Sequence, residues 1–167
     1  MKYQRCTKTI MDTSDPDIFF NDKGESNYVM YFEKIKKKWN PYGDINKFEK
    51  LVAEIKKDGK KSKYDCAIGI SGGLDSCYMT YLAWKYKLRP LLIHTDTGWN
   101  SEIAVQNIKS ILDKTGFELN TCVINWSEMK DLQRSFLKAS VPNQDIPQDH
   151  AIFTGFYNIA LSKKIKW

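Results

Sequence analysis

The chain has 167 residues, 42% of them hydrophobic and 13% aromatic, which is enough for one core and too apolar for a chain disordered throughout. The formal charge of +6 suits a nucleic acid, an anionic surface or an acidic substrate such as a nucleotide. No apolar run is long enough to span a membrane, the opening residues lack a secretory core, and Cys6, Cys66, Cys77 and Cys122 are too far apart for a disulfide framework, so a cytoplasmic chain is expected.

Residues 1–62 are polar and rich in breakers, as in "MDTSDPDIFFNDKGESN". A helix is expected from Asn27 or Tyr28 to Trp39, stopped by Pro41 and Gly43. A second, Asp44 to about Lys57 with Asp44 as cap, spaces Ile45, Phe48, Leu51, Val52 and Ile55 helically. The lysine clusters of these helices (Lys34, Lys36, Lys37 and Lys38, then Lys56, Lys57, Lys60, Lys61 and Lys63) read first as solvated surface.

Residues 63–167 alternate regularly. "YDCAIGI", "RPLLIHTD" and "ELNTCVINW" read as strands. Helices are expected over 76–86 (Tyr78, Tyr81 and Leu82 inward), 101–114, 127–138 and 149–163. In the second of these, Ser101 is the cap, Gly116 the stop, and Ile103, Val105, Ile108, Ile111 and Leu112 the apolar stripe. Cys66 and Cys122 lie in apolar runs and read as core. The closing "KIKW" looks like the start of a fourth strand. Strand and helix in alternation predict an α/β fold with a doubly wound parallel sheet, Rossmann-like and incomplete, behind a small helical N-terminal segment.

In such a sheet, ligands sit at the carboxyl ends of the strands, and "AIGISGGLDSCY" places its glycines at that end of the first strand. Gly72 and Gly73 let backbone N–H groups approach an anion. The helix beginning near Asp75 adds unpaired N–H groups and partial positive charge. Ser71 and Ser76 add hydroxyls. Asp75 would repel phosphate unless Mg²⁺ stands between them; otherwise it caps the helix. The spacing fits neither a Walker A loop nor a dinucleotide fingerprint.

The stretch Ser71-Gly72-Gly73-Leu74-Asp75-Ser76 resembles the SGG-x-DS loop of the N-type ATP pyrophosphatases, the PP-loop superfamily with its adenine nucleotide alpha-hydrolase type of fold. The resemblance implies that Ser71, Gly72, Gly73, Leu74, Asp75 and Ser76 bind ATP and that the enzyme adenylates a substrate oxygen and releases pyrophosphate. Further stretches, "RCTKTIMDTSDPDIFFNDKGESNY", "HTDTGWNSEIAVQNI" and "PQDHAIFTGFYNIA", resemble the N-acetyl sugar amidotransferases of surface-polysaccharide biosynthesis (lipopolysaccharide O-antigen or flagellin glycan). That likeness implies an acetamido group converted to an acetamidino group. Ammonia would come from a partner glutaminase and its synthase-like subunit. Where that family carries two Cys-x-x-Cys pairs, this chain has Cys6, Thr9, Ser26 and Val29, so no zinc is expected.

His94 and Asp96, with Thr97, end the second strand and are candidate ATP contacts, against a plain turn made by Asp96 and Gly98. Trp99 reads as rim packing before base stacking. Asp149 and His150 are candidate substrate-binding residues, with His150 a catalytic proton carrier and Asp149 otherwise a helix cap. Asp75 is both a catalytic candidate and the expected Mg²⁺ ligand. Cys77 reads as packing. A tRNA-modifying ATP pyrophosphatase, favoured by the charge, and a non-catalytic nucleotide-binding piece are the alternatives; the lysine distribution speaks against nucleic acid.

Overall fold

A computed structural model describes residues 2–38 and 43–167. The expectations for Trp39 and Pro41 lie outside the described residues. The chain divides into two compact units, Met1–Phe48 and Glu49–Trp167.

In the first unit, α1 (Asn27–Lys36) is capped by Ser26, whose Oγ accepts the Val29 amide at 3.4 Å. Short antiparallel bridges join Arg5 to Asp12 and Phe20 to Ser26. The buried Cys6 Sγ accepts the amides of Ser26 at 3.3 Å and Lys8 at 3.4 Å. Three of the four positions noted for cysteine pairs, Cys6, Thr9 and Ser26, therefore meet around one sulfur, held by hydrogen bonds and packing. Burial pushes the Cys6 thiol up, but hydrogen bonds from Thr9, Lys8 and Ser26 outweigh it and bring the pKa down to about 6. Burial and the Asp65 charge raise Cys66 to about 11.

A thiol depressed in the folded state stabilises above its unfolded pKa and loses that contribution as pH falls through the folded value. Ultraviolet thiolate absorbance should accordingly show a step near pH 6 that Cys6→Ser abolishes. The stability advantage of wild type over Cys6→Ser should grow from pH 6 to 9; a flat difference contradicts the assignment.

The second unit holds most of α2 (Ile45–Gly59), which Asp44 caps through the Asn46 and Lys47 amides. Of its expected apolar stripe only Val52 is buried. Then follow β1 (Cys66–Gly69), α3 (Leu74–Lys85), β2 (Pro90–Asp96), α4 (Glu102–Thr115), β3 (Glu118–Val123), α5 (Trp126–Lys138) and α6 (Ile146–Ser162). The strands form one parallel sheet in the order β1-β2-β3, with Cys66 opposite Pro90 and Leu91 opposite Glu118. Leu92 points to one face, where it packs with Ile70 and Ile108 of α4. Its neighbours Leu91 and Ile93 point to the other and meet Ala160, Phe156 and Ile159 on α6. Helices thus cover both faces, and the α/β Rossmann-like architecture expected from the sequence is present, with a small sheet.

At the end of α6 the chain returns to the free edge of β1. The Trp167 carbonyl accepts the Ala67 amide at 2.8 Å, while Lys166 Nζ and Trp167 Nε1 bond Asp58 at 2.6 and 2.9 Å. Just before β1 the buried Asp65 carboxylate takes the Arg89 amide and guanidinium, and Arg89 also donates to the Gly59 carbonyl.

Three expectations need correction. Tyr78 and Tyr81 do not face inward: they are 58% and 48% exposed and run with Trp84 as an outer ladder, centroids 6.0 and 6.2 Å apart. The small Thr80 and Ala83 are buried instead and bring α3 close to the sheet. On α4, Ile103 and Val105 are exposed: Ile103 lies off the line of Ile108 and Leu112, and Val105, although on that line, sits in the first turn of the helix. Helix α6 starts at Ile146, not Asp149. Pro147 fits its first turn, where no N–H is needed, and Asp149 donates its own amide to Asp145 O at 2.8 Å instead of capping.

Candidate functional site

Strand β1 ends at Gly69 and α3 begins at Leu74, so the glycine turn lies at the carboxyl end of the sheet. Its two glycines differ. Gly72 has φ +79° and its carbonyl accepts Asn107 Nδ2 of α4 at 2.9 Å. A Cβ there would collide with the Ala104 backbone, 2.8 Å from its Cα. Gly73 has an ordinary φ of −77° and is the N-cap of α3, with no side chain closing the helix. The first helical bond runs from Cys77 N to Gly73 O. Among the described residues, the amides of Leu74, Asp75 and Ser76 have no acceptor.

Ser71 and Ser76 are brought together, their hydroxyls 3.2 Å apart. Ser76 Oγ also accepts the Ser71 amide at 3.2 Å and donates to Gly73 O at 3.1 Å. Asp75 is exposed in the first turn of α3. It does not cap that helix, since Gly73 holds the N-cap position, and no hydrogen bond or ion pair engages its carboxylate among the described residues. Leu74 is 84% exposed.

A cavity of 360 Å³ opens beside the turn. The end of β1 contributes Gly69, Ile70 and Ser71; the end of β2 contributes His94, Thr95 and Thr97; α6 contributes Gln148, Ile152, Phe153 and Phe156. His94 is buried with Nδ1 2.8 Å from Ile70 O, and Nε2 lies 3.2 Å from Asn100 Nδ2. Asp96 Oδ1 accepts both Asn100 Nδ2 and the Gly98 amide at 2.9 Å, so the turn expected of Asp96 and Gly98 does form. Trp99 packs edge-on to Trp126, centroids 5.4 Å apart, and donates to Gln133 at 3.1 Å, a rim position.

The turn, His94, Asp96 and Thr97 are therefore neighbours at one sheet end. His150 is not among them: it lines a second cavity of 420 Å³ with Cys122 and Glu128, between β3, α5 and α6, and Asp149 beside it is exposed. Cys77 lies in an apolar groove with Tyr81, Trp84 and Ile111. Sequence reasoning missed Asn100, Asn107 and the α6 lining. The signal for the last was the helical spacing of Gln148, Ile152 and Phe156.

The chemistry of the turn suits an anion: uncapped helix amides, a backbone bare of side chains, and two hydroxyls. Asp75 stands at its rim, its carboxylate unengaged among the described residues. It fits Mg²⁺, which is commonly held by one or two carboxylates together with phosphate oxygens and water. Among the described residues, no group of three or more His, Cys, Asp or Glu side chains is placed to hold a metal on its own, and no helix is long and apolar enough to cross a membrane.

Three parallel strands between helix layers, with the turn at their carboxyl ends, define a Rossmann-like α/β domain. Among solved structures, the chain is similar to an NH3-dependent NAD synthetase from Campylobacter jejuni (TM-score 0.50, 17% identity, 74% of this chain and 55% of that one). It is also similar to an NMN synthetase from Francisella tularensis (TM-score 0.49, 18% identity, 74% of this chain and 52% of that one). The chain spans about half the length of each. No protein-family model matches, and no curated protein matches.

Proposed function

We propose that this chain is the nucleotide-binding part of an ATP pyrophosphatase of the PP-loop type. The carrying observation is the uncapped N-terminus of α3: among the described residues, three amides behind Gly72 and Gly73 have no acceptor and the Asp75 carboxylate beside them has no partner. Ser71, Gly72, Gly73, Leu74 and Ser76 seat the pyrophosphate portion of ATP. Asp75 holds Mg²⁺ against it, and His94 and Asp96 close the site at the end of β2. The names of the two solved enzymes, both synthetases, are in keeping with this reading.

The finer proposal is an N-acetyl sugar amidotransferase, supported by the sequence resemblance. The acetamido oxygen attacks the α-phosphorus of ATP and pyrophosphate leaves; ammonia from a glutaminase partner then displaces AMP, leaving an acetamidino group. His150 lines the second cavity and not the one beside the turn, so neither it nor Asp149 carries a step in this scheme. The four cysteines form no disulfide, in keeping with a cytoplasmic setting.

Calorimetric titration with ATP and Mg²⁺ tests the proposal. Gly73→Ala adds a Cβ whose nearest neighbour is Ser71 Oγ at 3.4 Å, so the fold should hold while affinity drops about tenfold through lost anion contacts. Asp75→Asn should abolish the Mg²⁺ dependence. Unchanged affinity in both variants would reduce the turn to a connection.

A further inference from the structure

The His94 ring is saturated. Its Nδ1 faces Ile70 O, and a carbonyl only accepts, so Nδ1 carries the proton. Nε2 is then an acceptor, and Asn100 Nδ2 donates to it. The second hydrogen of that amide goes to Asp96 Oδ1, which fixes which way the Asn100 amide points. A chain of hydrogen bonds thus runs from Asp96 through Asn100 and His94 to Ile70 O.

Ile70 O belongs to the peptide that joins strand to turn. The other polar atom of that peptide, the Ser71 amide, is bonded by Ser76 Oγ at 3.2 Å. The plane of the 70–71 peptide is gripped from both sides, by β2 through His94 and by α3 through Ser76. This peptide sets the direction in which the chain enters the glycine turn, and Ser71 is where the turn meets the cavity.

We infer that His94 is a positioning residue: it acts on the nucleotide through the Ile70 carbonyl and makes no direct contact with it, and Asn100 and Asp96 hold its tautomer. The inference rests on the reading of the turn as an ATP seat. His94 is neutral in this arrangement, because a proton on Nε2 would face the Asn100 N–H group. It brings no charge to the phosphates; the amides at the start of α3 do that work.

Two measurements on the whole chain decide it. There are two histidines, so a ¹⁵N-labelled sample with His150→Gln leaves one imidazole to read. Its nitrogens should report a protonated Nδ1 and a bare Nε2, unmoved by ATP and Mg²⁺. A protonated Nε2, or an Nε2 signal that shifts on ATP addition, overturns the inference.

The second measurement is a pair of replacements. Asparagine carries an N–H donor where Nδ1 stands, and glutamine one where Nε2 stands. His94→Asn should keep the Ser71, Gly72 and Gly73 amide signals in place and hold ATP affinity within about threefold. His94→Gln should move those signals and weaken ATP about tenfold, the effect of leaving a buried acceptor unpaired. Equal losses or the reverse order would mark a direct contact and sink the idea. If neither variant folds, the tautomer measurement on the native ring decides. If the native chain takes up no ATP, the ATP-seat reading fails, while the tautomer and amide signals still decide the grip on Ile70.

Discussion

Gly72→Ala is expected to destabilise the second unit by about 2–5 kcal/mol, the sum of left-handed backbone strain and overpacking. Gly72 sits at φ +79°, where an L-residue is strained whatever the space around it. There is also no space: the new methyl would run into the Ala104 backbone, which cannot swing aside as a side-chain tip can. Helix α4 would have to back away, breaking the Asn107 bond to the Gly72 carbonyl. Gly73→Ala lacks both penalties and costs within about 1 kcal/mol, the scale of an N-cap change. Urea denaturation of the two variants measures the contrast. Equal, small losses would mean that α4 is not seated on the turn. One glycine therefore lets a helix approach, and the other leaves a helix end open to an anion. A loss of nucleotide binding in Gly72→Ala alone would say little about phosphate.

The division between what the sequence shows and what it hides follows from the range of the interactions. Caps are local, so Ser101, Asp44 and Gly116 were legible: Ser101 Oγ accepts the Ala104 amide at 3.2 Å, and Gly116 takes φ +69° at the end of α4. The glycine turn was legible because the residue types of an anion seat are contiguous. The face of α3 was not. Its polar residues, Asp75, Ser76, Thr80 and Lys85, are scattered around the helix, so periodicity gives it no direction, and the close approach to the sheet selected Thr80 and Ala83 over the larger tyrosines. The start of α6 was misjudged because Pro147 read as a loop residue, although the first turn of a helix accepts it. Asn100 and Asn107 escaped notice for a different reason. Gly72 lies 35 residues from Asn107 and meets it only once the turn and α4 have packed, whereas His94 and Asp96 stand only 6 and 4 residues before Asn100, and their bonds to it depend on how the end of β2 folds back. His150 was joined to the site only by the resemblance of "PQDHAIFTGFYNIA" to the amidotransferases. The helical rotation of α6 turns Gln148 and Ile152 to the first cavity and His150 to the second.

Leu92→Ala should cost about 3–5 kcal/mol, the range for a leucine deleted from a core that collapses only in part. Leu92 is 0% exposed at the middle of the central strand, flanked on its own face by Ile70 and Ile108. Truncation leaves a void that neither sheet nor helix can fill, since β2 is hydrogen-bonded on both sides. The consequence reaches the site. Ile70 immediately precedes Ser71 and carries the carbonyl that His94 holds, and α4, on which Ile108 rides, also presents Asn107 and Ala104 to Gly72. One side chain thus supports both contacts that shape the turn. The expected outcome is a lower midpoint in urea together with faster hydrogen exchange at Gly72 and Gly73. Ile93→Val, a smaller deletion on the opposite face against Ala160, should cost about 1 kcal/mol and leave exchange at the turn unchanged. Equal effects on the turn from both faces would mean that the core transmits strain without regard to side, and that the turn depends on overall stability alone. A difference confined to Leu92 would tie the anion seat to the α4 face of the sheet.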